Sequence, residues 1–217
     1  MSPETDLSRG RGTPGWRRAA APGLTVAMIV ASYLWFDQPV AYFVHDHDFR
    51  RWAWLAALTH IPDLLVIGSV VVLLAAPFVL ARRGGASRAE RVLLAMAASL
   101  AIAFFLKDQL KIVFGRAWPE TWTHSNPSLI RDHVYGFFWW RFDNGFHSFP
   151  SGHTTLTFAV VSVLWLALPA WRWLGVGVGV AVAVGLLGMD YHFLSDVLAG
   201  ALLGSLCGST VWELLRE

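Results

Sequence analysis

The stretch LLVIGSVVVLLAAPFVL, residues 64–80, has no charged side chain and no polar one larger than serine. Such a run approaches the ~20 apolar residues needed to cross the hydrocarbon of a bilayer. Reading outward from it, the pattern recurs. Apolar segments run from Ala21 to Phe36, Leu64 to Leu80, Val92 to Leu106, His153 to Leu168, Leu174 to Met189 and Phe193 to Val211. Their flanks are rich in Trp and Phe, which extend the shorter runs. The expected fold is all-α and integral to the membrane. It is a bundle of six transmembrane helices over residues 21–217, with a long outer loop between helices 3 and 4. A basic, disordered tail over residues 1–20 precedes it.

Composition supports the bilayer over a large soluble core. Of 217 residues, 55% are hydrophobic and 15% charged, against about 25% charged in soluble domains. The 12 Trp fit aromatic belts at the water–lipid interface. A net charge of +2 implies no nucleic-acid partner. Cys207 is the one cysteine, so no intrachain disulfide forms. Oligomeric state is not encoded in any pattern found. The first segment resembles a signal peptide by its basic flank, but Ser32-Tyr33-Leu34-Trp35 is too bulky for a cleavage site.

Orientation follows the basic residues. Arg9, Arg11, Arg17 and Arg18 precede the first segment, and Arg82, Arg83, Arg88 and Arg91 separate the second from the third. Both clusters are expected inside, which puts both termini in the cytoplasm of a plasma (inner) membrane. The connection from about Lys107 to Gly152 then lies outside. A loop this long is usually functional or disordered, and its Trp, Phe and Pro content argues against disorder.

Three polar groupings converge on that outer face. In the first, Lys107 and Lys111 are four apart and share a helix face; Arg116 follows where Gly115 breaks the helix. Alone, this group also reads as a basic membrane anchor. In the second, Pro150-Ser151-Gly152-His153 opens an apolar helix, with Ser151 as the cap. Free N–H groups there favour an anion such as phosphate, and His153 can exchange a proton with it. An ordinary cap beside an interfacial histidine is the plainer account. In the third, His192 and Asp196 are neighbours on a helix face. A carboxylate on one ring nitrogen leaves the other free as nucleophile or base, although a satisfied structural pair has the same spacing.

His45-Asp46-His47-Asp48 has metal-ligand composition, but a solvated loop face is the simpler reading, and no metal site is assigned. Trp139, Trp140 and Arg141 are read as interface anchors. Gly175, Gly177, Gly179, Gly185 and Gly188 are read as allowing close helix packing.

Pro150 to His153, then His192-Phe193-Leu194-Ser195-Asp196 about 40 residues on, and Lys111 through Pro119 before them, together resemble the type 2 phosphatidic acid phosphatase superfamily. The resemblance covers nearly everything after residue 20. It implies a lipid-phosphate phosphatase with a phosphohistidine intermediate and no cofactor. His192 is then the nucleophile, Asp196 its orienting partner and His153 the proton donor. Lys111, Ser151 and the Gly152 backbone would hold phosphate. Two arginines of the family pattern are missing. Trp118 stands where one precedes the proline, and Gly185 and Leu186 replace the Ser-Arg before the third-motif histidine. Arg116 is the leading substitute for phosphate binding, with Lys107, Arg131, Arg141 and His147 as further compensating candidates.

The expected substrate is a phospholipid or isoprenyl phosphate. Phosphatidate, phosphatidylglycerol phosphate, isoprenyl diphosphate and a lipid A phosphate remain open. Transfer to a lipid acceptor through the same site is an alternative. So is a non-catalytic protein that binds or moves lipid phosphates, although simple binding does not need two histidines. A haloperoxidase-like oxyanion site is more distant.

Overall fold

The structure is a computed structural model that describes residues 15–122 and 125–216, without the side chains of residues 15–19 and of Arg83. The tail before Gly15, with Arg9 and Arg11, lies outside the described residues, as do the side chains of Arg17 and Arg18. The helices are α1 (Gly15–Ala31), α2 (Asp37–Asp46), α3 (Ala53–Thr59), α4 (Ile61–Arg83), α5 (Arg88–Phe114), α6 (Leu129–Asp132), α7 (Gly152–Ala167), α8 (Arg172–Gly188) and α9 (Leu194–Leu215). A π-helical turn, Ser32–Phe36, joins α1 to α2 without a break.

Among the described residues, five stretches are long and apolar enough to cross a membrane: Ala20–Asp46, Ala53–Arg82, Arg88–Phe114, Pro169–Gly188 and Leu194–Leu215. Leu64, Leu74 and Phe78 on α4 are 70%, 68% and 73% exposed. Large apolar side chains in that state need hydrocarbon around them, and the chain is an integral membrane protein. The fourth expected helix, α7, has 16 residues, about 24 Å at 1.5 Å per residue, short of a ~30 Å hydrocarbon core. The count of full-length spans is therefore five, with α7 a shorter apolar helix.

The core forms where α5, α7 and α9 meet. Val92, Ala95, Val163, Ala167 and Val211 pack at one end; Leu100, Ala103, Leu156, Ala159 and Cys207 pack further along. α7 and α9 are the most closely joined pair, with α4 against α5, α8 against α7 and α3, and α1 against α9. The close approach comes from Gly200, Gly204 and Gly208, one helical turn apart on α9. A Cβ at these positions would collide with the Ser151, Thr155 and Ala159 carbonyls of α7. On α8, Gly185 and Gly188 admit Leu55 and Leu58 of α3, and Gly179 admits Phe158, whereas Gly177 faces open space.

The ends of the helices are set locally. Ser87 caps α5 in a reciprocal box with Glu90. Gly115 stops α5 with φ at 50°, a left-handed turn that glycine adopts without strain. It directs the chain inward at Arg116. The connection from 115 to 151 is then folded by backbone bonds such as Phe138 N to Gly115 O (2.6 Å), Leu129 N to Trp118 O (2.9 Å) and Ser148 N to Arg116 O (3.1 Å). Phe137, Trp139 and Phe149 of the connection pack against one another and against Phe114 at the end of α5.

Candidate active site

The N-termini of α7 and α9 are tied together by Ser151 N–H donating to the Asp196 carbonyl at 3.0 Å. Ser151 caps α7, its Oγ accepting from Thr154 N at 3.4 Å and from the Thr154 hydroxyl at 3.1 Å. Gly152 faces α5: a Cβ there would lie 3.2 Å from Lys107 Cδ and 3.7 Å from Lys111 Nζ. Both lysines lie one to two turns before α5 ends, so the short α7 starts below the end of its longer neighbour. His153 follows Gly152 on the first turn of α7. Of the residues expected to converge, Lys111, Ser151, Gly152, His153, His192 and Asp196 are brought together, with Lys107 beside them and Arg116 behind Asp196.

Behind His192 lies a buried ionic assembly. Asp196 Oδ2 accepts from the Ser148 hydroxyl at 2.6 Å and from Phe193 N–H at 3.0 Å. His192 Nδ1 stands 3.4 Å from both Asp196 Oδ2 and Ser148 Oγ. This network assigns the ring proton to Nδ1 and leaves the Nε2 lone pair free. Burial lowers the pKa of His192; Asp196 opposes the shift, and the Lys111 and Arg116 charges reinforce it. The ring is therefore neutral at pH 7, the form a nucleophile requires.

Arg116 is placed differently from expectation. Its side chain is fully buried. Nη1 donates to Asp196 Oδ1 at 2.5 Å and to Ser195 Oγ at 2.6 Å; Nη2 donates to Asp37 Oδ2 at 2.7 Å and to Tyr135 OH at 3.3 Å. Neither terminal nitrogen is left for a phosphate. The guanidinium holds the carboxylate that faces His192, and so acts one step behind the imidazole. Burial opposes its charge, but Asp196 and Asp37 outweigh that and raise its pKa.

The other compensating candidates separate. Lys107 is buried at the site and paired with Asp108 at 2.6 Å. Arg131 is tied to Asp132 and to the Ser125 and Asn126 carbonyls. Arg141 lies over the Phe146 ring at 4.5 Å, and His147 Nε2 meets the Arg141 carbonyl at 3.1 Å. These last three make their contacts away from the imidazoles. His45 pairs with Glu120 at 3.1 Å, and His47 bonds the Phe43 carbonyl. Among the described residues, no group of three or more His, Cys, Asp or Glu could hold a metal ion.

Four residues were not found by sequence reasoning: Asp37, Ser148, Ser195 and Tyr135. Asp37 Oδ1 accepts from Ser195 N at 2.9 Å, and its Oδ2 accepts from the Ser195 hydroxyl at 2.5 Å. Tyr135 donates to the Tyr33 carbonyl at 2.6 Å. A signal existed for Asp37, since a carboxylate continuing an apolar span must have a buried partner.

Asp190, two residues before His192, is 1% exposed, and its Oδ2 has no hydrogen-bond partner. Burial, then the neighbouring Glu120, push its pKa up to about 8 against the pull of Arg50. An unfolded aspartate ionises near 3.8. The folded state thus holds a proton that the unfolded chain releases, so this group's contribution is complete below pH 3.8 and lost as pH rises toward 8. Asp190→Asn is expected to raise the melting temperature at pH 8 and to raise it much less at pH 5. Equal shifts at the two pH values would contradict the assignment.

A sequence model of the PAP2 superfamily matches residues 92–217. That region contains Lys111, His153, His192 and Asp196, and the chain belongs to the PAP2 superfamily. It is similar in structure to a transmembrane PAP2 type phosphatidylglycerolphosphate phosphatase from Bacillus subtilis, at 18% identity and a TM-score of 0.42. The alignment covers 90% of this chain and 86% of that one. No curated protein matches the chain.

Proposed function

We propose that the chain is a membrane-embedded lipid-phosphate phosphatase that works through a phosphohistidine at His192. The observation that carries this reading is the buried relay from Arg116 through Asp196 to His192 Nδ1, with Lys111 beside Gly152 at the adjoining start of α7. A purely binding site has no need of a neutral imidazole facing a buried carboxylate.

In the first step His192 Nε2 attacks phosphorus, and the bond to the lipid oxygen breaks. His153, protonated, gives its proton to the departing oxygen. Lys111, the Ser151 hydroxyl and the Gly152 N–H hold the phosphoryl oxygens at the positive end of α7. Asp196 stabilises the charge that develops on the imidazole. In the second step His153, now neutral, takes a proton from water, whose oxygen attacks phosphorus and breaks the P–N bond. Phosphate leaves and both histidines return to their starting states. Phosphoryl transfer relies mainly on positioning and charge stabilisation, which these groups supply.

Six crossings, with α7 as the short central one, fit this reading. Both termini then lie in the cytoplasm, and the 115–151 connection covers the site at the outer face of the inner membrane. The substrate class is a phospholipid or isoprenyl phosphate.

The test is phosphate release by purified protein from phosphatidate, phosphatidylglycerol phosphate and an isoprenyl diphosphate across a pH series. Release is expected from at least one of them. Because His192 must be neutral to attack, activity falls as pH drops through its pKa, which lies below the ordinary histidine value of 6.5. The acid limb of kcat/KM is therefore expected below pH 6.5 on every substrate turned over. Absence of release from all three, or an acid limb well above pH 6.5, would count against the reading.

A further inference from the structure

Trp118 lies against the proposed reacting groups as well as against Trp122 of the outer connection. Its ring centroid is 5.2 Å from that of His192, tilted by 40°, and 5.8 Å from Lys111 Nζ. The backbone fixes it on both sides, with Trp118 N–H donating to the Pro127 carbonyl at 3.2 Å and its own carbonyl accepting from Leu129 N at 2.9 Å. Trp122 closes the far side edge-on at 4.9 Å. The side chain is 6% exposed, yet its indole Nε1 has no hydrogen-bond partner. Buried indole N–H groups normally find an acceptor. In the structure this one bonds none of its neighbours. Lys111 is a donor, Trp122 presents a ring, and His192 Nδ1 is turned to Asp196 and Ser148. An unpartnered donor beside a lysine and an imidazole matches what an anion needs.

We propose that the Trp118 indole N–H binds a non-bridging oxygen of the phosphoryl group during transfer to His192. This rests on the phosphatase reading for its ligand, and it deepens that reading. Arg116 is held by Asp196 and Asp37, so Lys111 supplies the cationic contact and Trp118 a neutral, rigid one. The indole also forms a flat wall beside the His192 ring. The site thus grips phosphate with less positive charge than a lysine–arginine pair would supply.

The experiment uses full-length protein in detergent and orthovanadate as the probe, with affinity measured by calorimetry and phosphate release measured separately. Trp118→Phe keeps an aromatic ring and removes the donor. Losing one hydrogen bond to a charged group is expected to weaken vanadate binding and kcat/KM by about ten- to a hundredfold, with the melting temperature unchanged. Trp118→Gln and Trp118→Met give a second comparison of similar length, with and without a donor, should the Phe variant unfold. The Gln variant is expected to bind vanadate about tenfold more tightly than the Met variant. Unchanged affinity in a folded Phe variant, equal affinities for Gln and Met, or no vanadate binding by the wild type would overturn the proposal. Vanadate binding that depends on Trp118, without phosphate release from any lipid, would sustain this assignment while removing the phosphatase reading.

Discussion

Replacing Arg116 by alanine is expected to destabilise the protein by about 3–5 kcal/mol, the typical loss when a buried ion pair is left with one partner. Here the loss is compounded, because two carboxylates depend on one guanidinium. Asp37 and Asp196 are both fully buried and bonded to it. Aromatic rings surround the cation at 5.2 Å (Tyr33), 5.3 Å (Tyr135), 5.0 Å (Phe137) and 4.4 Å (Phe193), so water cannot readily replace it. Arg116→Lys is not expected to rescue the protein, since an ammonium group cannot span Asp37 and Asp196 with the fixed fork of arginine. Thermal unfolding in detergent measures the stability loss, and phosphate release measures the accompanying loss of Asp196 alignment. A lysine variant with wild-type stability and activity would refute the bridging role.

Substituting His192 by alanine is expected to lower phosphate release by on the order of 10⁴-fold or more, as removal of a covalent nucleophile does. The fold should tolerate it. His192 makes only long contacts of 3.4 Å to Ser148 and Asp196, while Asp196 keeps Arg116, Ser148 and Phe193 N–H. His153→Ala is expected to behave differently, because the role proposed for it in the first step is to protonate the leaving oxygen. Activity should fall steeply on lipid monoesters and far less on an aryl phosphate whose leaving group needs no proton. Parallel kinetics on the two substrate types separate the roles; identical losses for both variants on both substrates would erase the distinction.

The long α4 and α5 spans were legible because no charged side chain interrupts their centres. The first span was read as ending at Phe36, yet the helical path continues to Asp46. Asp37 caused the early stop. Hydropathy counts a carboxylate as an exit from the membrane, whereas this one is neutralised by Arg116 from a residue 79 positions away. The expected fourth crossing was legible as an apolar run, but its length was not, because α7 is bounded by the Ser151 cap and the Leu168-Pro169 stop rather than by a change in hydropathy. His192 and Asp196 were legible through their four-residue spacing, and Ser151 through its place before an apolar run. Arg116 was recognised as a basic residue near the site, but its direction depends on the Gly115 turn and on Asp37, neither of which spacing reveals. Ser148 had no signal at all. It reaches Asp196 only because the 115–151 connection folds back so that Ser148 N–H bonds the Arg116 carbonyl.

Covalent capture of the intermediate tests the account most directly. Protein mixed with substrate labelled in the phosphoryl group, quenched in alkali within a turnover and digested, is predicted to carry the label on Nε2 of His192, since Nδ1 faces Asp196 and Ser148. Label on another residue, or turnover that proceeds with His192→Ala and leaves no labelled protein, would contradict it.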